Sequence, residues 1–127
     1  MIDHTGLTVS NPETSRAFYD RALAPLGYQP LMVIPTAVTK GRVVVGYGVP
    51  PKPDFWIAEG TPNEPRIHIA FRAANRQQVD EFYRAALEAG GRDNGPPGPR
   101  PHYHANYYGA FVLDPDGHNV EAVCHEA

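Results

Sequence analysis

The sequence predicts an α+β fold in which one module is written twice. Three observations point to it. Positions 4–28 recur in part at 68–92: under a shift of 64 residues, His4 falls on His68, Asn11 on Asn75, Phe18-Tyr19 on Phe82-Tyr83, Ala22-Leu23 on Ala86-Leu87 and Gly27 on Gly91. That is seven identities in 25 positions, where ordinary residue frequencies give on the order of one or two. Each half also reads in the same order, a strand, a helix and then two or three strands. Clusters of Gly, Pro, Asn and Asp separate these segments. The expectation is a single domain over 1–127, built of modules at about 1–60 and 65–127. A two-fold repeat brings equivalent strands together around a pseudo-axis and sets His4 and His68 in matching positions of a shared cavity.

The elements follow in chain order. Ile2 to Ser10 reads as a strand, with Leu7 and Val9 alternating against Thr8 and Ser10. Asn11-Pro12-Glu13 is a helix start, an Asn cap followed by Pro in the first turn and an acid behind it. That helix runs to about Ala24 and ends before Pro25 and Gly27. Strands are expected at Tyr28–Ile34, Val43–Tyr47 and Asp54–Ala58, punctuated by Gly41 and by Pro50-Pro51-Lys52-Pro53. Arg66–Arg72 opens the second module as a strand. Asn75 caps a second helix, which lasts to about Ala89 and stops at Gly90-Gly91. Asn94 to Pro101 is rich in Pro and Gly and is expected to be a loop. Tyr107–Leu113 and Asn119–Cys124 are strands joined by a turn at Asp114-Pro115-Asp116-Gly117.

Composition narrows the function classes. Hydrophobic residues make up 42% of the 127-residue chain and charged residues 20%, with a net charge of −3, so the chain reads as globular. The two lysines and nine arginines are scattered, so no basic patch points to nucleic acid. No apolar stretch is long enough to span a membrane. The opening Met1-Ile2-Asp3-His4 shows neither the basic nor the apolar region of a signal peptide. Cys124 is the only cysteine, so no disulfide forms within the chain. The expectation is a cytoplasmic protein.

Strand parity places the chemistry, because successive residues face opposite sides of a sheet. Leu7 and Val9 lie on one face of the first strand, with His4, Gly6 and Thr8 on the other. Ile67, Ile69 and Phe71 form an apolar face, leaving His68, Ala70 and Arg72 opposite. In the last strand Val120, Ala122 and Cys124 oppose Glu121 and Val123. If the apolar faces pack on the two helices, His4, His68 and Glu121 share the face away from them and line the hollow of a curved sheet. Two imidazoles and one carboxylate suit a divalent ion such as Fe²⁺, Mn²⁺, Zn²⁺, Ni²⁺ or Co²⁺, with positions left open for substrate. Under the repeat, Glu121 corresponds to Ile57, which cannot ligate. Its neighbours Trp56 and Ala58 cannot either, and Glu59 could only after a two-residue shift of register. His102, Tyr103, His104, Tyr107 and Tyr108 cluster before the second-last strand. Of these, His104 and Tyr108 are the candidates for a general acid or base. His118, in a turn, and His125, at the chain end, are expected to be exposed.

These residues resemble the vicinal oxygen chelate superfamily of glyoxalase I, bleomycin-resistance proteins and type I extradiol dioxygenases. The resemblance is carried by Ile2-Asp3-His4, by Phe18-Tyr19 with Leu26-Gly27, by His68-Ile69-Ala70-Phe71, and most specifically by Phe111 through Glu121 (FVLDPDGHNVE). It implies paired βαβββ modules forming an open, curved mixed sheet around a metal, with the helices outside. It also implies that His4, His68 and Glu121 are the metal ligands. Glyoxalase I carries a fourth ligand at or near Ile57, so its loss here makes the set more like the extradiol triad. The expected function is a metal-dependent enzyme that chelates a small substrate through vicinal oxygens, with dioxygenase-like or lyase/isomerase-like chemistry, as a homodimer. The alternative is a small-molecule or antibiotic-binding protein without catalysis.

Overall fold

Two asparagines start the two long helices in the same way. In the computed structural model, which describes residues 1–127, the Asn11 side chain accepts from the Thr14 amide and the Asn75 side chain from that of Gln78. Each such cap contributes about 1 kcal/mol. Helix α1 spans Pro12–Ala22 and α3 spans Arg76–Glu88; a single turn, α2, lies between them at Thr36–Thr39. The strands are β1 Thr5–Val9, β2 Gln29–Val33, β3 Val44–Gly48, β4 Phe55–Glu59, β5 His68–Arg72, β6 Arg92–Pro99, β7 Tyr108–Leu113 and β8 Asn119–Cys124. Helix α1 closes two residues earlier than expected because the chain tightens into a 3₁₀ turn at Ala24–Leu26, set by Pro25 and ended by Gly27 at φ 83°.

The topology is βαβββ twice over. One sheet has the order β1-β4-β3-β2 and the other β5-β8-β7-β6, and both are open. In each, the first strand runs parallel to the last and the remaining pairs are antiparallel. Of the residues expected on the helix-packed faces, Leu7, Val9, Phe71, Val120, Ala122 and Cys124 are in the core, while Ile67 and Ile69 are only partly buried against it. Leu7, Val9, Val45, Ile57, Phe71, Val112, Val120 and Ala122 join Phe18, Tyr19, Phe82 and Ala86 of the helices in one cluster that spans both modules. Phe55 and Phe71, from different modules, meet edge to face at 5.1 Å. No helix is long and apolar enough to cross a membrane.

Two expectations are corrected. Residues 94–101 were expected to be a loop, yet β6 pairs antiparallel with β7 through Gly95↔Phe111, Gly98↔Gly109 and Pro99↔Tyr108. The strand lies at the sheet edge, where only alternate residues need a donor. A proline whose missing N–H would point outward costs nothing there. Breaks in register at Asp93/Gly95 and Gly95/Gly98 absorb the remaining irregularity.

His118 is the second correction: it is fully buried, not exposed. Its Nδ1 accepts from the Ile67 amide at 3.0 Å and its Nε2 donates to the Thr8 carbonyl at 2.9 Å. Asp114, just before it, accepts from the amides of Asp116 and His118 and from the Tyr19 hydroxyl of α1 at 2.7 Å. Asp116 accepts from both the amide and the hydroxyl of Ser10. The stretch that carries the strongest family likeness thus fastens module two onto module one.

Candidate functional site

Glu121 is the unusual residue of the sheet. It lies on β8 between core residues Val120 and Ala122 but projects to the opposite face, and it is only 1% exposed. No Lys or Arg pairs with it. Its Oε1 is 2.9 Å from Nε2 of His68, and its Oε2 accepts from the Tyr107 hydroxyl. The glycine at 109 makes this reach possible, since a Cβ there would lie 3.1 Å from the Tyr107 ring and 3.4 Å from Glu121 Oε2. Burial pushes the Tyr107 phenol well above its ordinary value, and the neighbouring carboxylate pushes it further. Tyr107 therefore stays protonated and donates to Glu121 throughout the neutral range. His68 is about half exposed and packs toward Phe111 at 6.2 Å, with the Arg100 guanidinium 5.6 Å above the Phe111 ring.

Of the residues singled out from the sequence, His68 and Glu121 come together. His4 lies just before β1, is exposed, and contacts Asp3 through Nδ1 at 2.8 Å. Within one chain no three His, Cys, Asp or Glu side chains gather closely enough to hold a metal ion. His104 sits at the rim, with Nε2 2.7 Å from Nδ1 of His125 and its ring edge-on to Tyr107 at 5.3 Å. Tyr108 points the other way, donating to Asp80 of α3 at 2.7 Å beneath the Arg76 guanidinium. The sequence reading passed over Tyr107 as the tyrosine that touches Glu121. The signal was present: Ala110 and Val112 set the core parity of β7, which puts Tyr108 with them and leaves 107, 109 and 111 on Glu121's face.

The registers of the two sheets also relocate the missing fourth donor. Gly6 lies opposite Trp56 in the first sheet, while its repeat mate Ala70 lies opposite Glu121 in the second. Position 56, not 57, therefore mirrors Glu121. Ile57 is in the core at 1% exposure. The chain gains one residue between the strands of module two relative to module one, which a fixed 64-residue shift does not register.

What the site can do follows from its donors. His68 Nε2 and Glu121 Oε1 are two donors of the kind that hold a borderline divalent ion, already aimed at one another. A buried carboxylate facing only an imidazole and a phenol is also a favourable place for a cation.

A family model described as the glyoxalase/bleomycin resistance protein/dioxygenase superfamily matches residues 1–122. The chain belongs to this superfamily. Among superfamily structures, it is 26% identical to a glyoxalase/bleomycin resistance protein from Albidiferax ferrireducens T118, with a TM-score of 0.73 over 96% of each chain. A hypothetical protein from S. aureus is also 26% identical, with a TM-score of 0.67 over 94% of this chain and 92% of that one. A glyoxalase I mutant from Zea mays, 23% identical with a TM-score of 0.71, shares the fold over 96% of this chain and 46% of its own. No curated protein matches the chain.

Proposed function

We propose that the protein is a divalent-metal-dependent enzyme acting on a small molecule that carries two adjacent oxygens. His68 and Glu121 hold the ion from one chain, and His4 of a second copy completes the set in a homodimer. One observation carries this reading: the buried Glu121 carboxylate, with no Lys or Arg beside it, faces His68 Nε2 at 2.9 Å. When bound, the ion supplies Lewis acidity to the chelated oxygens. Tyr107 orients Glu121 by holding Oε2, which leaves Oε1 for the ion. The half-exposed His68 is reached from solvent, so a chelating substrate has access. His104, edge-on to Tyr107 and paired with His125, is the candidate to move a proton at the rim. The chemistry is of the dioxygenase or the lyase/isomerase kind, in a cytoplasmic setting.

The test is elemental analysis of protein purified without added metals or chelators, beside His68→Ala and Glu121→Gln. About one ion per chain is expected in the parent, with most of it gone from either variant while unfolding stays cooperative. Equal metal in parent and variants at equal protein would sink the assignment. A metal-free parent that still binds small aromatic drugs would instead mark a sequestering protein without turnover.

A further inference from the structure

We propose that Trp56 is a specificity-determining residue whose indole forms a platform for a planar aromatic ring carried beside the substrate's chelating oxygens. The inference rests on the metal-site reading above and gives that site a substrate class. Trp56 occupies the position in module one that Glu121 occupies in module two, and it lies on the same, helix-free face of its sheet. Where the repeat has a metal donor, this chain has a side chain that cannot ligate but can stack.

The neighbours of position 56 have been cleared to suit the indole. The two residues opposite Glu121 are Ala70 and Phe111; those opposite Trp56 are Gly6 and Gly46. A Cβ on Gly46 would lie 2.8 Å from the indole atoms Cζ3 and Cη2 and 2.9 Å from Pro53 Cβ. A Cβ on Gly6 would lie 2.8 Å from the Trp56 carbonyl oxygen and 3.2 Å from its Cβ. The ring therefore lies down over Gly46 beside Pro53, with part of its surface left in solvent. An indole held down on one side has little rotamer freedom left to lose when a ligand covers the other. His4, which the proposed site recruits, is two residues before Gly6 on the neighbouring strand's approach. The platform thus belongs to the same half-site as the third ligand. The simpler role for a tryptophan over a glycine is to stabilise the strand pair, and the experiment separates the two.

The probes are benzohydroxamate and acetohydroxamate, which present the same pair of vicinal oxygens with and without a phenyl ring. They are titrated into the Zn²⁺-loaded homodimer by calorimetry and by the emission of Trp56, the only tryptophan in the chain. Benzohydroxamate is expected to bind about tenfold more tightly, the size of a single aromatic stack, and to quench Trp56. Trp56→Ala is expected to bring the two affinities together while keeping its zinc and its affinity for acetohydroxamate. Trp56→Phe is expected to keep most of the preference. Equal affinities in the parent, or a preference that survives Trp56→Ala, overturns the platform and leaves Trp56 as a strand-pair stabiliser. Failure to retain zinc, or to bind either hydroxamate, overturns the metal-site reading itself.

Discussion

Single residues in this chain divide into those that could do chemistry and those that hold the two modules in place, and the most distinctive motif falls largely into the second class. Asp114, Asp116 and His118 spend their hydrogen bonds on the Tyr19 hydroxyl, Ser10, Thr8 and nearby main-chain amides. Glu121, three residues beyond His118, turns its carboxylate to the open face. His118→Ala would leave the Ile67 amide and the Thr8 carbonyl without partners at a buried junction. Each such orphan costs about 1–3 kcal/mol, so a loss of about 2–6 kcal/mol is expected in urea unfolding. The loss should come without any change in the metal bound per folded chain. A drop below about 0.5 kcal/mol would mean that water replaces the imidazole.

At the scale of elements, helices and core strands were legible because their signals are local. Asn11-Pro12 and Asn75 mark helix starts through a side chain that reaches an amide three residues on. The parity of Leu7/Val9 and Ile69/Phe71 marks a buried face. Strand β6 was not legible, because a strand of Gly and Pro exists only through β7 beside it. The burial of His118 was hidden for the same reason, since its partners are 51 and 110 residues away. Register was the other blind spot. A repeat read at a fixed shift put the fourth-ligand position at Ile57, and the ladders move it to Trp56. Two substitutions separate the two placements. Trp56→Glu is expected to fold and to retain metal against a chelator more strongly than the parent, by adding a carboxylate. Ile57→Glu would bury an unpaired charge in the core and is expected to give unfolded or aggregated protein. The opposite pattern, with Ile57→Glu folded and metal-tight, would restore the fixed shift.

The whole molecule is held by contacts within and between modules, and several of them are tyrosine hydroxyls on carboxylates, of which Tyr19 on Asp114 joins the two modules. Tyr19 reaches Asp114 and Tyr47 reaches Asp20, and burial raises both phenols above their ordinary value of 10.0. A phenol with a folded value above its unfolded one contributes stability that is intact below about pH 10 and lost as pH rises toward the folded value. These tyrosines therefore add no pH dependence through neutral pH and are expected to lower the unfolding free energy above about pH 10 by about 1.4 kcal/mol per unit each. Tyr47→Phe should make the fall shallower; an unchanged slope would remove Tyr47 from the account. His68 and Glu121 meet within a chain, His4 stands apart and exposed, and no third donor is near. If His4 is supplied by a second copy, His4→Ala and His68→Ala each break every site in a pure preparation. A mixed dimer of the two variants holds one site with both histidines lost and one with both intact. Mixing them after mild dissociation is therefore expected to restore metal to about half of the sites in the mixed dimers, read as metal per chain after removal of excess ion. If the ligands come from a single chain, no mixture recovers any metal. Light scattering that gives one chain's mass at micromolar concentration would exclude the shared site before any mixing is done.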